Sequence, residues 1–180
     1  MDGLRKDAAR NRERIVDAAR RLLADGKPVG LNAVARAADV GVGTVYRHFA
    51  GVEELEETLA WDRFDELADL LDEDGDDVLG RAIAAHVRLM VEDPVFERVM
   101  SRPQPHLEET ARKRDALLAR VDTAMARARE RGDLRPGMGA GDVVLLVCGL
   151  AYAVRHGGLG ADDPQARLAV QVVLDGLRPG

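Results

Sequence analysis

Apolar residues along this 180-residue chain recur at helical rather than strand spacing. Ile15, Ala18, Ala19, Leu22 and Leu23 share one face of a first helix predicted over 5–24, which Gly26 and Pro28 end. Two short helices follow, over 32–38 and 42–49. Val34, Ala35 and Ala38 line one face of the former, and Val40, Val45 and Phe49 supply the apolar residues that lock the latter against it. A long helix over 52–71 turns Leu55, Leu59, Phe64, Leu67 and Leu71 inward and its Glu and Asp residues toward water. Leu79, Ile83, Val87 and Met90 mark a fifth helix that stops near Asp93-Pro94, and a sixth over 95–100 precedes Pro103-Gln104-Pro105. A seventh carries Leu107, Leu117, Leu118, Val121 and Met125. Beyond Gly132 and the Pro136-Gly137-Met138-Gly139 break come an almost wholly apolar helix over 142–155 and a last one over 164–177, which presents Leu168, Val172, Val173 and Leu177. No run alternates as a strand does, so the pattern predicts an all-α chain.

The stretch from Val34 to Phe49, V-A-R-A-A-D-V-G-V-G-T-V-Y-R-H-F, has the spacing of a helix, a tight turn and a second short helix. That arrangement lays a helix end in a DNA groove. Its turn requires a residue that tolerates the left-handed backbone region, and Asp39 stands there. Gly41, Val42, Gly43 and Thr44 open the second helix with little bulk, so its free N–H groups and positive dipole end can approach a phosphate.

These residues resemble the TetR family of bacterial transcriptional regulators. The likeness runs from about Arg14 to Leu55 and rests on Ile15, Ala18, Ala19, Leu22, Leu23, Gly26, Val34, Ala35, Val40, Gly43, Thr44, Tyr46, His48, Phe49 and Leu55. Beyond it the chain matches only in length and helical character. The resemblance implies an N-terminal three-helix DNA-binding domain with a helix-turn-helix over 1–51. It also implies a C-terminal helical ligand-binding and dimerisation domain over 52–180. Three positions depart from the family pattern. Asp39 replaces the usual turn Gly, and Gly41 replaces a Ser that often caps the second helix, a change of a few tenths of a kcal/mol on capping scales. Val52, followed by Glu53 and Glu54, stands where many relatives carry a phosphate-neutralising Lys.

Charge divides along the same boundary. The net charge is −6, yet residues 1–50 hold 10 Lys and Arg against 6 Asp and Glu, a balance of +4, leaving 16 against 26, or −10, for the rest. A basic head on an acidic body orients the molecule head-first toward a duplex. With 46% hydrophobic and 3% aromatic residues, the chain has enough apolar material for a core. The lone Cys148 excludes an internal disulfide framework and a cysteine-rich zinc site. The acidic run 72–77 lacks the spaced ligands of a calcium loop and reads as a solvated turn. The longest apolar run, Val143 to Val154, falls short of the roughly 20 residues a bilayer requires. No leader-like segment opens the sequence, so the expected location is cytoplasmic, with no membrane partner and no cofactor.

Function follows as a set of expectations. The last two helices pair with their twins across a two-fold axis, giving a homodimer. The two recognition helices then enter successive major grooves about 34 Å apart on a palindromic double-stranded operator. By resemblance Val42, Gly43, Thr44 and Arg47 face the groove, Arg47 forking onto guanine and Val42 touching a thymine methyl. Tyr46 and His48 hold phosphates, Arg36 adds to the DNA set, and Arg5, Lys6 and Arg10 form an arm along the backbone. An unknown small-molecule effector is expected among Trp61, Phe64, His86, Met90, Phe96, Met100, Met125 and Tyr152, with His86 as the leading polar candidate. Cys148 fits a small buried hydrophobe better than a thiol sensor. No nucleophile elbow, phosphate loop or paired metal-spaced histidines point to an enzyme. The remaining alternative is a helical protein-interaction module that has lost DNA binding, favoured by Asp39, Val52 and the two glutamates after it.

Overall fold

A computed structural model describes the backbone of residues 2–179 and the side chains of residues 7–179, and among these the chain is wholly helical. The head comprises α1 (Asp2–Ala24), α2 (Leu31–Ala37) and α3 (Val42–His48). The body comprises α4 (Val52–Asp72), α5 (Val78–Glu92), α6 (Pro94–Ser101), α7 (Glu108–Glu130), α8 (Ala140–His156) and α9 (Pro164–Leu177). Asp93 starts α6 sharply: its carboxylate accepts the Val95 and Phe96 N–H groups, both at 3.0 Å, with Pro94 in the first turn. Asp163 and Pro164 start α9 in the same way.

Two apolar cores follow one another along α4. Ile15, Ala18, Ala19, Val34, Ala35, Val45 and Phe49 form the head core, and Leu55 and Leu59 from the first two turns of α4 join it, with Val95 from α6. From Ala60 onward the same helix packs Phe64, Leu67 and Leu71 into the body core. Phe64 and Phe96 meet there edge to face at 5.5 Å, a geometry worth about 0.5–1.5 kcal/mol beyond burial alone. The connector is therefore built into both halves.

The acidic face expected on α4 is only partly solvated. Glu56 and Glu57 are buried, Glu57 to 0% exposure. Burial of a carboxylate is tolerated when hydrogen-bond donors surround it. Glu57 accepts the backbone N–H groups of His106 and Leu107 at 2.8 and 2.9 Å, just ahead of α7, while Glu56 pairs with Arg98 and Arg102. Glu54 accepts the Ala50 N–H at 2.8 Å, so one of the acidic residues after Val52 closes the start of α4.

On α8 an apolar sequence on all sides becomes one buried and one bare face. Val143, Val147, Ala151 and Val154 pack inward, whereas Leu145 is 74% exposed and Leu146 and Tyr152 also face outward. Neighbouring α9 leaves Leu168 and Val172 63% and 61% exposed. No helix among the described residues is long and apolar enough to cross a membrane.

Candidate nucleic-acid interface and interior slot

The turn of the helix-turn-helix is built around Asp39, the one described non-glycine residue with positive φ, at 52°. Its conformation closes α2: the Val40 N–H reaches back to the Ala35 carbonyl at 3.0 Å, and the Ala38 N–H to Val34 at 2.8 Å. From α1, Arg14 donates to the Ala38 and Asp39 carbonyls at 2.8 and 3.2 Å. A cation at a helix C-terminus is favoured by the dipole, so the head supplies its own brace for the turn. Val45 is fully buried and fixes the inner face of α3.

The outer face of α3 is open. Val42, Gly43, Tyr46 and Arg47 are exposed, and Thr44 and His48 are half-buried. Arg47 donates to the Thr44 hydroxyl at 3.0 Å, one turn back, which holds the guanidinium along the helix. A Cβ added at Gly43 meets nothing within 4 Å, so the protein's own packing does not require this glycine. Arg36 is exposed on α2. Arg10 is exposed beside Asp7 at 3.7 Å. The side chains of Arg5 and Lys6 lie outside the described residues.

Within the body, α4, α5, α7 and α8 line a partly open slot of about 40 Å³. Leu67 and Leu71 from α4, Leu117 and Val121 from α7, and Val143 and Val147 from α8 line it, with His86 as its single polar side chain. Burial pushes the His86 imidazole down to about 4, so the ring is neutral near pH 7. Cys148 Sγ lies 3.9 Å from His86 Nε2, and burial raises its thiol, which keeps it protonated and unreactive.

Of the eight residues expected to touch an effector, only His86 lines this slot. Phe96 and Met125 are fully buried core, Phe64 and Met90 nearly so, and Met100 packs on the core from its edge. Their large apolar side chains are consumed by packing between helices. Tyr152 is on the outer face of α8, stacked on His156 at 3.8 Å. Trp61 sits at the junction of head and body, its indole N–H donated to the Thr110 hydroxyl at 2.9 Å. Sequence spacing did not single out Arg12, Arg14, Arg114 or Thr110. Arg114 donates to the Val99 and Arg102 carbonyls at the end of α6.

Comparison with known proteins agrees with this geometry. Residues 15–58 match the family model described as bacterial regulatory proteins, tetR family, and residues 78–179 match the C-terminal domain of SbtR-like transcriptional regulators. A TetR transcription regulatory protein from Mycobacterium vanbaalenii is 30% identical, with 98% of this chain and 99% of that one covered at a TM-score of 0.53. RolR in complex with resorcinol is 22% identical, with coverage of 96% and 89% and a TM-score of 0.65. NalD of Pseudomonas aeruginosa, the secondary repressor of a multidrug efflux pump, is 22% identical, with coverage of 96% and 98% and a TM-score of 0.61. A search of curated proteins finds no match. Helix-turn-helix, braced turn and full-length likeness converge: the chain belongs to the TetR family of bacterial regulatory proteins and is a DNA-binding transcriptional regulator, not an enzyme.

Proposed function

We propose that this regulator is a homodimeric repressor that reads a palindromic operator through α3 and releases it when a small molecule enters the body. In this reading residues 1–51 form the DNA head and residues 52–180 the effector-binding and dimerisation body. The observation that carries it is the open face of α3, with Val42, Gly43, Tyr46 and Arg47 displayed on a helix whose opposite side is locked by Val45. Arg47 and Val42 read base edges, with Gly43 and Thr44 at the groove, while Tyr46, His48 and Arg36 hold phosphates and set register.

The outward apolar face of α8 and α9 supports the dimer. Leu145, Leu146, Leu168 and Val172 leave a contiguous pair of helices bare, the kind of surface that a second copy covers in a four-helix interface. The slot supports an effector. Its lining is aliphatic apart from neutral His86, which favours a largely apolar, uncharged ligand seated between these helices. Leu67 and Leu71 belong to the connector, so widening the slot displaces the helix that carries the head. Ligand lowers operator affinity by its difference in affinity for the two arrangements. The resorcinol bound by RolR is one example of a small molecule in a protein of this fold.

Fluorescence anisotropy of a labelled duplex across a salt series tests the reading. A steep fall in affinity with salt, with preference for one sequence surviving at moderate salt, is expected of a working reader. Weak binding without sequence preference would instead mark a helical interaction module that has lost DNA.

A further inference from the structure

Arg12 on α1 packs against the end of α3 and the middle of α4. Its guanidinium carbon lies 5.3 Å from the Phe49 ring centroid and 5.5 Å from that of Trp61, and its Nη2 donates to the Thr58 hydroxyl at 3.2 Å. Phe49 is the residue that closes α3, and it is buried. The Thr58 hydroxyl donates a hydrogen bond to the Glu54 carbonyl at 2.9 Å, which leaves a lone pair to accept from Arg12. One planar cation therefore touches the end of the recognition helix and the connector together.

The far edge of the indole is tied elsewhere. Trp61 donates to Thr110, which is fully buried in the first turn of α7. One turn earlier on the same face of α4, Glu57 accepts two backbone N–H groups from the segment entering α7. The start of α7 is thus fastened to α4 twice, and the same helix continues to Leu117 and Val121 in the slot.

We infer that Arg12 is a positioning residue that couples the head to the body, transmitting the placement of α7 through Thr110 and the Trp61 indole to Phe49 at the end of α3. A merely stabilising surface cation needs no flat group between two rings. Arg12 is one, and lysine retains the charge without the stack. The inference rests on the reading that α3 binds duplex DNA.

Trp61 is the only tryptophan of the chain, so its emission and its indole N–H resonance report this junction alone. The experiment titrates the full-length protein with a duplex enriched from a random pool, in the unmodified form and in Arg12→Lys, Thr110→Val and the double variant. DNA is expected to shift both Trp61 signals in the unmodified protein. Thr110→Val, far from the groove, is expected to change duplex affinity by about threefold or more when Arg12 is present. In the Arg12→Lys background its effect shrinks below about 1.5-fold, the non-additivity of a linked pair. A silent Trp61 on DNA binding, or a Thr110→Val effect that is absent or undiminished by Arg12→Lys, overturns the inference. If Arg12→Lys does not fold, the Trp61 response and the Thr110→Val affinity decide it. Failure of the unmodified protein to bind any duplex would remove the DNA reading itself, an outcome distinct from binding with an unresponsive Trp61.

Discussion

Arg14 of α1 donates its guanidinium to the backbone carbonyl of Asp39, 3.2 Å away, at the point where the chain turns left-handed between α2 and α3. The same side chain holds the Ala38 carbonyl at 2.8 Å, so the turn that aims α3 is fixed by a residue 25 positions earlier in sequence. The head is a three-helix unit in which α1 serves as scaffold for the reading element.

Asp39 tolerates its φ of 52° at a cost that glycine avoids and alanine worsens. Asp39→Gly is expected to raise stability and Asp39→Ala to lower it, each by about 1 kcal/mol. Denaturant melts of the two variants beside the unmodified protein check the opposite signs. Asp39→Gly also removes a negative charge near the duplex and is expected to tighten DNA binding at low salt.

The position of Asp39 is legible in sequence because few side chains accept that backbone region, and the helix ends are legible at Pro94, Gly132 and Pro164 for similar local reasons. The inward face of α8 is not. A helix apolar on every side offers no contrast in period, so only its neighbours decide that Val143 and Val147 face inward and Leu145 faces out. Burial of Glu56 and Glu57 is hidden for another reason: their partners lie 42 to 50 residues further along the chain. The slot is hidden likewise, since side chains from four helices make it and no spacing motif records it.

Register and reading separate on α3. Tyr46→Ala is expected to weaken binding to all duplexes alike, whereas Arg47→Ala relaxes preference at one base pair and costs about 1–3 kcal/mol on the preferred site. Affinities measured on a panel of single-base variants distinguish the two patterns.

In the proposed dimer the bare face of α8 and α9 is the surface that the second copy covers. Leu145→Glu combined with Leu168→Glu is expected to leave the helix content intact and to give a single chain in sedimentation where the unmodified protein is expected to sediment as a dimer. Operator affinity falls with it, because two linked heads act at a high effective concentration.

His86 couples stability to pH. Well above pH 6.5 the imidazole is neutral in both folded and unfolded chains. Below that, the unfolded chain takes up a proton that the folded chain refuses until about pH 4, so stability falls as pH drops through this window. The contribution is at most about 3 kcal/mol. Cys148, which faces His86 at 3.9 Å, stays protonated throughout, and Phe96 meets the ring edge-on at 5.8 Å. His86→Leu is expected to flatten the slope of stability against pH between 6.5 and 4 relative to the unmodified protein, measured by urea melts at each pH.

The most direct test of a twofold DNA reader is to let the full-length protein select duplexes from a random pool. Enrichment of two inverted half-sites whose centres lie about one helical turn, 34 Å, apart is the predicted result. Recovery of no shared sequence, or of isolated half-sites without inverted partners, would contradict it.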